Sequence, residues 1–240
     1  MNLKSRVAIV TGGTRGIGRA IAQALLRQEA NVVIAARHDQ EIAQAVDALK
    51  SAGLGQVAGT PCDVRKFSEV LLLMEFTQQR FGGLDILINN AGVGLFAPVA
   101  ELTPEAWGQV IDTNLTGVYN TCHLAIPCMR RRSGGHIVNI GSLAGKNAFA
   151  GGAAYNASKF GLIGFSEALM LENRYYDIRV TCLMPGSVNT EFGGDSVGGA
   201  EKSWQLTPED VAQSVIHVLS SDSRAMISQL EIRPAKPPKK

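Results

Sequence analysis

Short apolar runs, many of them β-branched, alternate along this chain with longer stretches whose apolar positions recur at helical spacing. Arg6–Thr11 reads as a buried strand and Ile17–Gln28 as the helix that follows it. Asn31–Ala36 and Glu41–Ala52 repeat the pair, and a weaker strand at Gln56–Thr60 leads to a helix over Phe67–Phe81. Leu84–Asn89 makes a fourth strand. Thr103-Pro104-Glu105 puts a capping residue ahead of a proline in the first helical position. The helical pattern from there to about Arg132 is expected to break near Thr116-Gly117, with a kink at Pro127. Gly135–Ile140 predicts a fifth strand, Ala153–Arg174 a long helix and Ile178–Met184 a sixth strand. Thr207-Pro208-Glu209-Asp210 opens a last capped helix, and Met226–Ile232 is placed to close the sheet.

Continuous apolar strands separated by helices imply a parallel sheet covered on both faces. The expectation is an α/β protein: a single doubly wound, Rossmann-like domain over residues 1–240. Ligands of such sheets lie outside the carboxyl ends of the strands, where the strand order reverses. Chemistry is therefore sought in the loops that follow each strand.

Composition narrows the field. With 240 residues, 45% of them hydrophobic, the chain can bury one sizeable core, and no linker divides it. A net charge of +2 with 18% charged residues gives no field directed at nucleic acid or an acidic membrane. The basic clusters Arg130–Arg132 and Lys236–Lys240 read as solvated surface. The first apolar run, Val7–Val10, is too short for a secretory segment, and no membrane-spanning stretch follows. Cys62, Cys122, Cys128 and Cys182 form no C-x-x-C and no metal-ligand grouping with histidine. A soluble, cytoplasmic protein without metal is expected.

The loop after the first strand, Thr11–Gly18, reads T-G-G-T-R-G-I-G and opens a helix. Glycines there let the backbone turn tightly and approach a pyrophosphate, while the helix start supplies N–H donors. The spacing, carried by Gly12, Gly16 and Gly18 with Thr14 and Ile17 between them, is T-G-x-x-x-G-x-G. An NAD site usually ends its second strand with an acid that holds the ribose hydroxyls. Here that end reads Ala35-Ala36-Arg37, with no acid before Asp39. Arg37, with Arg15 inside the glycine loop, favours the 2′-phosphate of NADP(H) over NAD(H). Farther on, Tyr155 and Lys159 in A-A-Y-N-A-S-K stand one helical turn apart. A free phenol ionises near pH ~10, and a neighbouring cation favours its ionised form.

These motifs, with Asn89–Gly92 (N-N-A-G), Ser142 and Pro185-Gly186 in this order, resemble the short-chain dehydrogenase/reductase family over about residues 5–232. The resemblance implies a catalytic set of Asn114, Ser142, Tyr155 and Lys159. Tyr155 would exchange a proton with the substrate oxygen, and Ser142 would hold the carbonyl. Lys159 would bind the nicotinamide ribose and depress the Tyr155 pKa. Asn114 would hold a water linking Lys159 to solvent. It also implies cofactor contacts at Asp63, Val64, Asn90, Ala91, Gly92, Pro185, Gly186, Val188 and Thr190, with Asn89 supporting the sheet.

The substrate is expected to meet Leu95, Phe96, Phe149, Phe192 and Trp204, an apolar set suited to a neutral ketone or aldehyde, or the corresponding secondary alcohol. The glycine-rich stretch 193–199 is expected to order over that substrate. The resemblance extends to 3-oxoacyl-carrier-protein reductases, which would make an acyl carrier protein a partner near Arg130–Arg132 and Arg174. The ending M-I-S-Q-L-E-I-R-P-A-K-P-P-K-K departs from those enzymes and resembles broad carbonyl reductases instead. A homodimer or homotetramer is the family expectation. A reading of another class, an NADP(H)-binding sensor, would predict loss of the Tyr155/Lys159 pair, which this chain keeps.

Overall fold

The computed structural model describes residues 2–51, 55–194, 198–199 and 202–238. Seven strands form one sheet: β1 (Val7–Thr11), β2 (Asn31–Ala36), β3 (Val57–Pro61), β4 (Ile86–Asn89), β5 (Gly135–Ile140), β6 (Ile178–Pro185) and β7 (Gln229–Ile232). Their order is β3-β2-β1-β4-β5-β6-β7, and every pairing is parallel. The fold is therefore the doubly wound α/β sheet that the alternating pattern predicts.

The strand residues explain why both faces must be covered. Ala8 and Val10 of β1, Val32 and Ile34 of β2, and Ile86 and Ile88 of β4 point into one core, against α1 (Gly16–Arg27), α2 (Asp39–Lys50) and α7 (Pro208–Ser220). Their neighbours Ile9, Val33 and Leu87 point into the other, against α3 (Phe67–Phe81), α5 (Gly117–Arg131) and α6 (Ala153–Asn173). Period-two alternation puts successive side chains on opposite faces. A strand apolar at every position is thus stable only between two helix layers.

The expected break near Thr116-Gly117 takes a different form. The chain stays helical from α4 (Pro104–Ile111) through a π-helical turn, Asp112–Thr116, directly into α5. A π turn inserts one extra residue per turn and often marks a functional position. Here it carries the buried Asn114. Proline at 127 lies inside α5 without ending the helix.

One basic cluster is more than solvated surface. Arg132 and Arg6 both pair with the carboxylate of Asp85 at 3.0 Å, and Val7 N–H donates to the same group at 2.8 Å. Burial pushes the Asp85 carboxyl up, but Arg132, the Val7 amide and Arg6 outweigh it and hold it below the usual range. Arg130 stacks on the Tyr176 ring at 3.6 Å and donates to Asn173 Oδ1. Arg130 and Arg132 stand at the end of α5, ahead of β5, and Arg6 immediately precedes β1, all at the end of the sheet opposite the carboxyl ends of the strands.

Candidate active site

The order of the strands reverses between β1 and β4, so their carboxyl ends splay into a crevice. A small hydrogen-bond set fixes its floor. Thr11 Oγ1 donates to Ile88 O and accepts from the N–H groups of Asn90 and Ala91, each at 3.0 Å. The Asn90 side chain donates back to the carbonyls of Thr11 and Gly12. From this floor a cleft of about 1060 Å³ extends across the ends of β1, β2, β4, β5 and β6.

At one end of the cleft is the glycine loop. Gly16 adopts φ +51°, in the left-handed region that favours glycine. A Cβ on Gly18 would collide with Gly12 O and Asn90 Nδ2, so glycine there permits the close packing of α1 on the sheet. The first turn of α1 has no side-chain cap and no acidic residue. Its N–H groups are therefore open to an anion, as is general at a bare helix start. By contrast α7 closes its own start with a Thr207–Asp210 capping box.

Arg37 is exposed on the rim of this end, and among the described residues it forms no ion pair within 4 Å. Asp63, at the wall, is gripped by Arg65, whose Nε lies 2.9 and 3.0 Å from its two carboxylate oxygens. That bond, with Arg37 nearby, keeps the Asp63 carboxyl below its ordinary pKa despite burial. The sequence reading missed Arg65, although it directly follows Asp63-Val64. Arg15 also lines the cleft, where its guanidinium pairs at 3.2 Å with Glu191, both side chains being largely exposed.

The other end is organised by α6. Tyr155 and Lys159 project from one face of the helix, with Lys159 Nζ 5.7 Å from the Tyr155 ring centroid. Lys159 is buried and donates to Ile140 O at 2.8 Å. Burial lowers its pKa to about 8. Ser142 follows β5 and caps a short turn, its Oγ accepting from Ala144 N–H. Asn156, also missed in the sequence although it adjoins Tyr155, donates to Ala144 O at 2.7 Å. It thereby ties the Ser142 loop to the first turn of α6.

One expectation changes here. Tyr155 has its pKa raised, because burial penalises the phenolate more than the nearby Ser142 hydroxyl favours it. The Lys159 ammonium is occupied by the Ile140 carbonyl and does not reverse that direction. Asn114 lies behind the cleft, not on its lining. Its amide accepts from Val93 N–H and donates to Val93 O and Ser158 Oγ, and Ser158 in turn donates to Tyr155 O. Asn114 thus props the helical turn that carries Tyr155. Asn89 is likewise internal, linking Thr121 to Asn139.

Of the other expected contacts, Gly12, Thr14, Gly16, Ile17, Val64, Ala91, Gly92, Pro185, Gly186, Val188 and Thr190 line the cleft. Thr190 faces the glycine loop, its Cγ2 3.6 Å from where a Gly16 Cβ would lie. Val188 is pinned by a parallel bridge to Leu206, which fixes the base of the loop between them. Of the apolar set, Phe96, Phe149 and Phe192 line the cleft, but Leu95 and Trp204 do not. Leu95 precedes Phe96 and is exposed, and Trp204 is half-buried outside the lining. The expected ordering of 193–199 rests on a stretch whose residues 195–197 lie outside the described set. Among the described residues there is no grouping suited to a metal ion, and no helix is long and apolar enough to cross a membrane.

Comparison with known proteins places this arrangement. The family model described as short chain dehydrogenase matches residues 6–198. An uncharacterized oxidoreductase of Staphylococcus saprophyticus is 34% identical over 234 residues, covering 98% of this chain and 99% of the relative. Dehydrogenase/reductase SDR family member 4 of Oryctolagus cuniculus is 40% identical over 79% of this chain and 73% of its own. Among solved structures, an alcohol dehydrogenase of Thermococcus sibiricus complexed with 5-hydroxy-NADP superimposes with a TM-score of 0.90 at 28% identity, covering 98% and 99% of the two chains. An actinorhodin polyketide ketoreductase variant with NADPH gives 0.88 at 32% identity, over 95% and 96%. The chain belongs to the short-chain dehydrogenase/reductase family and is an oxidoreductase of that family.

Proposed function

We propose that this protein reduces a neutral ketone or aldehyde with NADPH, using Tyr155 as the proton donor. The observation that carries the reading is the position of Tyr155. Its half-buried phenol stands beside Ser142 and one turn from Lys159, on the same cleft whose far rim carries the exposed Arg37. Bound there, NADPH supplies the hydride that adds to the carbonyl carbon. The carbonyl oxygen gains charge as this happens, and Ser142 and Tyr155 converge on it. Tyr155 transfers its proton to that oxygen, leaving an alcohol.

The raised pKa of Tyr155 suits the reductive direction, because the phenol stays protonated at neutral pH. Lys159, cationic below about pH 8 and one turn from Tyr155, would hold the ribose hydroxyls of the bound cofactor and steady the phenolate left after transfer. The open start of α1 fits a pyrophosphate. Arg37, with no acid at the end of β2, fits a 2′-phosphate. The alcohol dehydrogenase and the ketoreductase among the similar structures, each with an NADP-type cofactor, support the same assignment.

An NADPH-oxidation screen over ketones, aldehydes and 3-oxoacyl thioesters, with NADH in parallel, tests the proposal. Turnover of neutral ketones or aldehydes, faster with NADPH, is expected. Stoichiometric NADPH binding without turnover of any carbonyl would instead make the protein a dinucleotide sensor.

A further inference from the structure

Resting on the reductase reading above, the aromatic surface around Tyr155 narrows the substrate. We infer that the preferred substrates are uncharged ketones or aldehydes with an aryl ring attached at the carbonyl. The Phe96 ring meets Tyr155 edge-on, with centroids 5.6 Å apart and planes at 78°. Phe192 lies against Tyr155 at 5.6 Å, and Phe149 against Phe96 at 5.7 Å. These three rings are 47%, 40% and 47% exposed for Phe96, Phe192 and Phe149. They form a continuous apolar wall, open to the cleft, beside the proton donor. A contiguous exposed apolar patch of this kind marks a binding surface.

The wall is a built feature. A Cβ on Gly94 would lie 2.7 Å from Phe192 Cε1 and 2.8 Å from Phe96 Cζ, so only glycine lets these two rings approach there. A Cβ on Gly152 would lie 2.5 Å from Phe149 Cε2. Near the wall, Lys159 donates to Ile140 O and Glu191 pairs with Arg15. The rings of Phe96, Phe149 and Phe192 carry no charge, so a carboxylate or phosphate lying against them would lose water without compensation. An aryl group gains from the same wall, because aromatic rings attract one another in edge-on and offset geometries beyond the area they bury.

The test compares kcat/KM, with NADPH, for acetophenone and for cyclohexyl methyl ketone, which nearly match in size. Benzoylformate adds a carboxylate to the same ring. Acetophenone should exceed cyclohexyl methyl ketone by about tenfold and benzoylformate by more. Phe96→Leu and Phe192→Leu, at exposed positions where folding is not at risk, should each bring the ratio of the two ketones toward one while NADPH affinity stays within twofold. Equal kcat/KM for the two ketones overturns the aryl preference and leaves the reductase reading intact. A preference that survives both leucine variants removes the wall from the explanation, and benzoylformate as the best substrate refutes the charge argument. NADPH binding with no carbonyl turned over sinks the inference and the reductase reading together.

Discussion

Exposed guanidiniums and an uncapped helix start line one end of the cleft, whereas the other end holds a half-buried phenol, a buried ammonium and three bare phenylalanine rings. The two ends are built to be read differently. At the Arg37 end the charges face water, where each contact is modest and screened by salt. At the Tyr155 end burial shifts protonation itself, raising the phenol and lowering Lys159 to about 8. Under the proposed function, affinity and dinucleotide choice would belong to the first end, and rate and pH response to the second.

The largest test of that division is Tyr155→Phe. It removes one oxygen and little volume, so turnover should fall by roughly 10²-fold or more while NADPH binding changes only a few-fold. Near-wild-type turnover would place the proton donor elsewhere. Arg37→Ala should show the opposite signature. NADPH affinity drops by roughly tenfold or more, as expected for one charge-assisted hydrogen bond, and NADH affinity barely moves. Equal losses for both dinucleotides in a fluorescence titration would remove the 2′-phosphate from the explanation.

A smaller effect separates the ends by pH. Lys159 is cationic below about pH 8 and neutral above it, whereas arginine stays charged throughout. Between pH 7 and 9 both dinucleotides should therefore bind a few-fold more weakly with their affinity ratio unchanged, and a shift in that ratio would contradict the division. The smallest expected change is at Glu191→Gln. Exposed ion pairs contribute only about 0–1 kcal/mol, so releasing Arg15 should tighten NADPH by at most about fivefold and leave NADH alone. The gain should vanish in an Arg15→Ala background. Persistence there would mean a general charge effect instead of competition for Arg15.

Much of the cleft was legible along the chain because the relevant signals are local. The glycine spacing, the Arg37 that replaces an acid after β2, and the Tyr155/Lys159 pair each lie within one turn or loop. What the sequence reading missed or misplaced depends on partners far apart in the chain. Arg132 looks like surface until Asp85, 47 residues away, is brought beneath it. Arg15 looks free until Glu191 arrives from across the cleft. Leu95 and Trp204 have the same apolar character as Phe96 and Phe192, and only their placement keeps them off the lining.

By itself the sequence determined the layered α/β architecture, because alternation and helical spacing dictate which faces must be buried. It also determined which residue types stand in the loops after each strand. Only the tertiary structure decided how those loops meet. Thr11 is joined to Asn90 and Ala91 across the reversal of strand order, and Asn114 braces the turn of Tyr155 through Ser158. The direction of the Tyr155 shift belongs to the same category. Spacing alone favours a lowered value, with an ammonium one turn away. Folding buries the phenol and gives that ammonium to Ile140 O, and desolvation, which exists only once the chain is packed, prevails.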